Sequence, residues 1–247
     1  YSFYPVYCSL FEVSYELLPL QEDFSFDLDQ YCGGLAPDIE GVLLCNPNAP
    51  TGRLLPLKEV ERILSSNEDK LIAADEAYID FGGETAAGIV NRYPNLIVTQ
   101  TLSKSRQLAG MRVGLAIASK PLIAGLNAVK NSFNSYTADR LSIAAARASF
   151  EDTLYFEQTR AKIIQTRQRT AEELEALGFD IIPSAANFIF AKPVGIGAAD
   201  LFQALREEGI LVRYFDRPRI GDRLRISIGT DEEMDRLISA VKKILGQ

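Results

Sequence analysis

Thr101-Leu-Ser-Lys-Ser-Arg-Gln-Leu-Ala-Gly-Met-Arg-Val-Gly114 follows the apolar run Leu96-Ile97-Val98, so Lys104 falls just past the place where a buried strand would end. Two upstream segments repeat that arrangement. Val42-Leu-Leu-Cys45 runs into Asn46-Pro-Asn-Ala-Pro-Thr-Gly52, a composition that dictates a rigid turn, and Leu71-Ile-Ala-Ala74 runs into Asp75-Glu-Ala-Tyr78. Between them Pro56 suits a first helical turn, with Leu57, Val60, Ile63 and Leu64 at helical spacing. Strands alternating with helices argue for an α/β fold with a mostly parallel sheet. Such sheets bind ligands at the carboxyl ends of their strands. Asn46, Asp75 and Lys104 should therefore converge on one edge.

Further along, residues 84–92 read as weakly helical, 113–118 as a fourth strand and 121–129 as a helix. From about Thr137 the pattern changes. Residues 138–150 are alanine-rich and helical, and 151–177 read as one long helix stopped by Gly178. Strands are expected at 179–182, 187–191, 210–214 and 224–228, with a helix at 198–208. Thr230-Asp-Glu-Glu233 has the pattern of a capping box opening a final helix. The organisation expected is a large α/β domain over 1–136, then a long connecting helix and a smaller α+β domain over 137–247. The chain begins at Tyr1 and reads from the outset like mid-protein sequence, so an N-terminal segment is expected to precede it.

The 247 residues carry a net charge of −7, which argues against a generic nucleic-acid binder. No apolar run approaches the roughly 20 residues of a membrane span. Cys8, Cys32 and Cys45 form no CxxC pair and read as free thiols of a cytoplasmic protein. The chain has no histidine. That excludes Ser-His-Asp and Cys-His catalysis and most catalytic zinc sites, and no metal is expected. Proton transfer in an enzyme of this composition must use Lys, Tyr, Asp, Glu, Cys or a cofactor.

The motifs at 46–52, 75–78 and 101–104, with Arg112, resemble those of the fold type I pyridoxal-phosphate aminotransferases. Asp-Glu-Ala-Tyr-Ile-Asp-Phe at 75–81, Ile-Leu-Val-Arg at 210–213 and Leu-Arg-Ile-Ser-Ile-Gly-Thr at 224–230 are similar to the histidinol-phosphate branch of that family. The resemblance covers essentially the whole chain. It implies pyridoxal 5'-phosphate as cofactor, a three-layer large domain, a homodimer, and transfer of an amino group from a small-molecule donor, histidinol phosphate, to 2-oxoglutarate. Lys104 would be the Schiff-base lysine and proton carrier. Asp75 would pair with the pyridine nitrogen. Opposite charges ~4 Å apart at an effective dielectric near ~20 attract by ~4 kcal/mol, about 3 pK units, enough to keep the ring protonated near neutrality.

The same resemblance implies that Asn46 and Tyr78 donate to the cofactor's phenolic oxygen, that Thr101, Ser103 and Arg112 hold its phosphate, and that Tyr1 packs on its ring. Arg225 would clamp a substrate carboxylate or phosphate, Arg213 would be a second anion contact, and Asn187 would lie near the substrate. Arg106 stands where the family usually has an apolar or aromatic residue and receives no role. The same motifs occur in aromatic amino-acid aminotransferases and in phosphothreonine decarboxylases of this fold. A non-catalytic domain that keeps the fold is the reading of a different class.

Overall fold

The computed structural model describes residues 1–33 and 35–246. Strands β1 (Gly41–Cys45), β2 (Leu71–Asp75), β3 (Leu96–Thr101) and β4 (Gly114–Ala118) form one sheet in that order. The first three are parallel, with Cys45 opposite Asp75 and Asp75 opposite Thr99. The connection from β3 to β4 holds only a short 3-10 turn, Ala109–Met111. Without a crossover helix β4 returns antiparallel, placing Gly114 opposite Thr101.

The helix between β1 and β2, which follows α1 (Tyr4–Leu10) and α2 (Leu28–Cys32), is α3 (Leu57–Ser66). It buries Val60, Ile63 and Leu64 against Leu44, Ile72 and Val98, as its 3.6-residue spacing requires. The weakly helical stretch 84–92 holds only a 3-10 turn, Ala86–Ile89, capped by the Thr85 hydroxyl.

The second half carries α4 (Lys120–Phe133), α5 (Arg140–Glu151) and α6 (Thr153–Ala176). The single helix expected over 151–177 is interrupted at its start. Asp152 ends α5 and caps α6, its carboxylate accepting from the Tyr155 N–H at 3.1 Å. An aspartate gains more as an N-cap than inside a helix. Beyond α6 lies an antiparallel sheet of order β5-β6-β8-β7, made of β5 (Asp180–Ile182), β6 (Phe188–Lys192), β7 (Arg213–Tyr214) and β8 (Leu224–Ser227). Helices α7 (Ala198–Glu207) and α8 (Asp231–Leu245) cover it around Ile189, Leu201, Leu224 and Leu237. The Thr230–Glu233 capping box is present. β7 is shorter than the 210–214 expected, because the Ile210 N–H bonds back to Leu205 and finishes α7.

The halves are stitched at several points. The Arg167 guanidinium donates to the carbonyls of Phe81 at 3.0 Å and Ala186 at 2.6 Å. The Ala185 N–H bonds the Gly52 carbonyl at 2.9 Å. Gly52 has φ +80°, and a Cβ there would stand 2.3 Å from the Ser184 hydroxyl, so only glycine fits. An arm from the N-terminal region crosses over as well. Leu20 and Phe24 pack with Ile182 and Phe190 of the second sheet and with Phe215 just past β7, and Arg219 donates to the carbonyls of Leu20 and Gln21.

Candidate active site

Asp75 is the last residue of β2 and only half-buried. Its Oδ1 accepts from the Ala77 N–H at 3.1 Å and its Oδ2 from the Tyr4 hydroxyl at 2.6 Å. Asn46 follows the end of β1 next door, its N–H bonding the Asp75 carbonyl at 2.9 Å. The buried Asn46 amide donates to the Leu55 carbonyl and accepts from the Leu55 N–H, both at 2.8 Å. It pins the 46–52 turn to the start of α3 with one of its two N–H donors and leaves the other uncommitted.

Lys104 lies three residues past Thr101, in the turn after β3. Its Nζ sits 5.3 Å from the centroid of the Tyr78 ring and makes no ion pair among the described residues. Tyr78 packs edge-on against Phe188 with centroids 5.2 Å apart. Burial pushes the Tyr78 phenol above its ordinary value, the Arg225 charge pulls it back, and Cys45 and Asp75 push it further up. The phenol therefore stays a neutral donor near pH 7, and its hydroxyl has no protein partner among the described residues.

Arg225, on β8, has its guanidinium 5.2 Å from the Phe188 ring and 5.8 Å from the Phe215 ring. Its Nε is buried without a hydrogen-bond partner, and no carboxylate pairs with the side chain among the described residues. Arg213 is its direct cross-strand neighbour and stacks 5.4 Å from the same Phe215. Two like charges opposite one another on a sheet repel, so this pair leaves room for an anion. Asn187 precedes β6. Its backbone carbonyl accepts from Ile228 at 2.9 Å, and its half-buried side chain makes no hydrogen bond among the described residues.

The antiparallel return of β4 brings Arg112 beside Thr101 and Ser103. Thr101 Oγ1 donates to Ser103 Oγ at 3.0 Å and accepts from the Ser103 N–H at 3.1 Å. Arg112 is exposed, in a left-handed conformation at φ 54°, and donates to the Ala109 carbonyl at 2.7 Å. Arg106 turns away from this group. Its guanidinium lies 4.1 Å from the ring centroids of both Phe150 and Phe156 and donates to the Ser149 carbonyl at 2.6 Å. The residue that fitted no family chemistry thus grips the α5–α6 junction. Tyr1 is 59% exposed and packs edge-on against Tyr4 at 5.6 Å.

Sequence reasoning missed Tyr4, although Pro5 marks the start of a helix just there. It also missed Phe188 and Phe215 as the aromatic bed of Arg225; nothing in their spacing singles them out. Among the described residues, the group that emerges is a lysine without a counter-ion, a carboxylate at a strand end, a phenol with a vacant donor and a pair of uncompensated arginines. That donor set fits pyridoxal phosphate, which offers an aldehyde, a ring nitrogen, a phenolic oxygen and a phosphate dianion.

Residues 1–241 match the model of the family aminotransferase class I and II. The chain belongs to that family of pyridoxal-phosphate enzymes. Within it the chain is 54% identical over 245 residues to histidinol-phosphate aminotransferase 1 of Bordetella parapertussis, covering 99% of this chain and 68% of that protein. It is 53% identical over 247 residues to histidinol-phosphate aminotransferase 1 of Hydrogenovibrio crunogenus, again covering 99% and 68%. Among solved structures, the histidinol-phosphate aminotransferase of Sinorhizobium meliloti in complex with pyridoxal-5'-phosphate superposes with a TM-score of 0.87 at 25% identity, covering 100% of this chain and 68% of that one.

Proposed function

We propose that this chain transfers the amino group of histidinol phosphate to 2-oxoglutarate, with Lys104, Asp75 and Tyr78 as the groups that touch the reacting atoms. When bound, pyridoxal phosphate supplies an aldehyde that takes up the amino group and a ring that accepts the electron pair left at the substrate's Cα. Lys104 would carry the cofactor's aldehyde and, when free, would move the proton at the substrate's Cα. Asp75 would hold the proton on the ring nitrogen. Tyr78 and the uncommitted Asn46 N–H would donate to the phenolic oxygen, and the Phe188 ring packs edge-on against Tyr78. Thr101, Ser103 and Arg112 would hold the phosphate. Tyr1 covers the ring, and Asn187 borders the substrate.

The observation that carries the choice of substrate is the Arg213–Arg225 pair. Two facing guanidinium groups with no carboxylate partner among the described residues suit a phosphate on one substrate and a carboxylate on the other. Absorbance of the purified enzyme with added cofactor, followed by assay of amino transfer from histidinol phosphate to 2-oxoglutarate, tests the reading. The expected result is a violet band and glutamate formation. Carbon dioxide release from phosphothreonine without glutamate would favour the decarboxylase alternative. We further propose a homodimer, on the strength of the exposed apolar residues Val6, Leu10 and Phe11 of the α1 region and Val129 and Phe133 of α4. Light scattering checks that proposal. The three unpaired thiols support a cytoplasmic location, and no helix among the described residues is long and apolar enough to cross a membrane.

A further inference from the structure

Tyr4 reaches 71 residues along the chain to donate its hydroxyl to Asp75 at 2.6 Å. That length is typical of a charge-assisted O–H···O⁻ bond. The contact leaves each Asp75 oxygen with one fixed protein donor, Ala77 N–H on Oδ1 and Tyr4 on Oδ2. On the transaminase reading above, which this inference rests on, the strength of that carboxylate decides how tightly the cofactor's ring nitrogen holds its proton. We propose that Tyr4 is a positioning residue for the reaction: its hydroxyl fixes the Asp75 carboxylate and draws off part of its charge, limiting its pull on the ring proton.

Three groups face the Asp75 carboxylate from neighbouring elements: Tyr4 from α1, Cys45 from β1 and Tyr78 from the turn after β2. Burial, then Asp75, push the Cys45 thiol up, so it remains neutral. Burial, then Cys45 and the bond to Asp75, push the Tyr4 phenol well above its ordinary range. Tyr4 therefore stays a donor wherever Asp75 is charged. A hydrogen bond that stabilises a carboxylate lowers its proton affinity. The plain alternative is that Tyr4 only tethers α1, none of whose residues is buried, to the sheet.

The two roles separate in the pH titration of the violet band given by the lysine-bound cofactor in the full-length holoenzyme. Removing the Tyr4 hydroxyl strengthens the hold of Asp75 on the ring proton. The retained positive charge then eases loss of the proton on the Lys104 nitrogen. Tyr4→Phe keeps the ring and should lower the midpoint of the titration by about half a pH unit. Tyr7→Phe, on the same helix and exposed, should leave it in place. A Tyr4→Phe midpoint within about 0.1 unit of wild type, or raised, would overturn the proposal; a lower melting temperature with an unmoved midpoint would make Tyr4 a tether. Absence of the band in the wild-type holoenzyme would defeat the transaminase reading, and this inference with it. Those two failures are distinguishable.

Discussion

Asp75 and Glu76 are adjacent acids with opposite surroundings. Glu76 is buried and saturated: it accepts from the Thr85 hydroxyl, the Ala86 N–H at 2.7 Å and the Gln100 amide at 3.0 Å. Asp75 is half-buried and holds one donor on each oxygen, which leaves each oxygen further accepting capacity. Alternation along the chain sends the two side chains apart. Residue type says nothing about which acid works on a ligand; the count of donors already met by protein does. By the same test Asn46 has one amide N–H met by Leu55 and one unmet, while Arg225 Nε has no partner among the described residues.

The comparison breaks most visibly if the open set is not the working set. Lys104→Ala should abolish the violet band and cut turnover by about 10³-fold or more, with little change in melting temperature. Asp75→Asn removes a charge interaction of up to ~4 kcal/mol and should lower kcat/KM by about 10²–10³-fold, again without unfolding the protein. Steady-state kinetics beside a thermal melt checks both.

Residues that also hold the fold should respond in stability. Asn46→Ala leaves the buried Leu55 N–H and carbonyl unmet and should cost about 2–3 kcal/mol in denaturant unfolding. Arg225→Lys keeps the charge but loses the planar fork, so KM for the anionic substrates should rise about 10-fold at unchanged stability. The smallest effect sharpens the comparison through pH. Burial raises the folded-state pKa of Glu76, against the lowering effect of its hydrogen bonds. Its neutral form then contributes stability that is complete below the ordinary carboxylate range and declines as pH climbs through the raised value. Glu76→Gln should flatten that part of the stability–pH curve.

Much of this was legible in the chain. The strand runs 42–45, 71–74 and 96–98, the capping box at Thr230 and the cluster of Asp75, Tyr78 and Lys104 rest on local patterns that the fold keeps. What escaped was set by contacts between distant segments. That the Asn46 amide also pins Leu55 depends on where the chain returns. Tyr4 matters only because α1 lies over the end of β2, and Arg106 finds its aromatic slot only once α5 and α6 meet at Asp152. Periodicity reports which face of an element is buried and is blind to which polar atoms have already found partners.

The arm carrying Leu20 and Phe24 has a consequence for the order of events on the ribosome. Its partners include Arg219, which lies 199 residues downstream of Leu20. At about 5–20 residues per second, the arm must wait roughly 10–40 s after emerging before that partner is made. The first sheet can close earlier, from residues that are complete by Ala118. During synthesis, then, Phe24 is an aromatic side chain that waits for its pocket until residues 182–220 have been made.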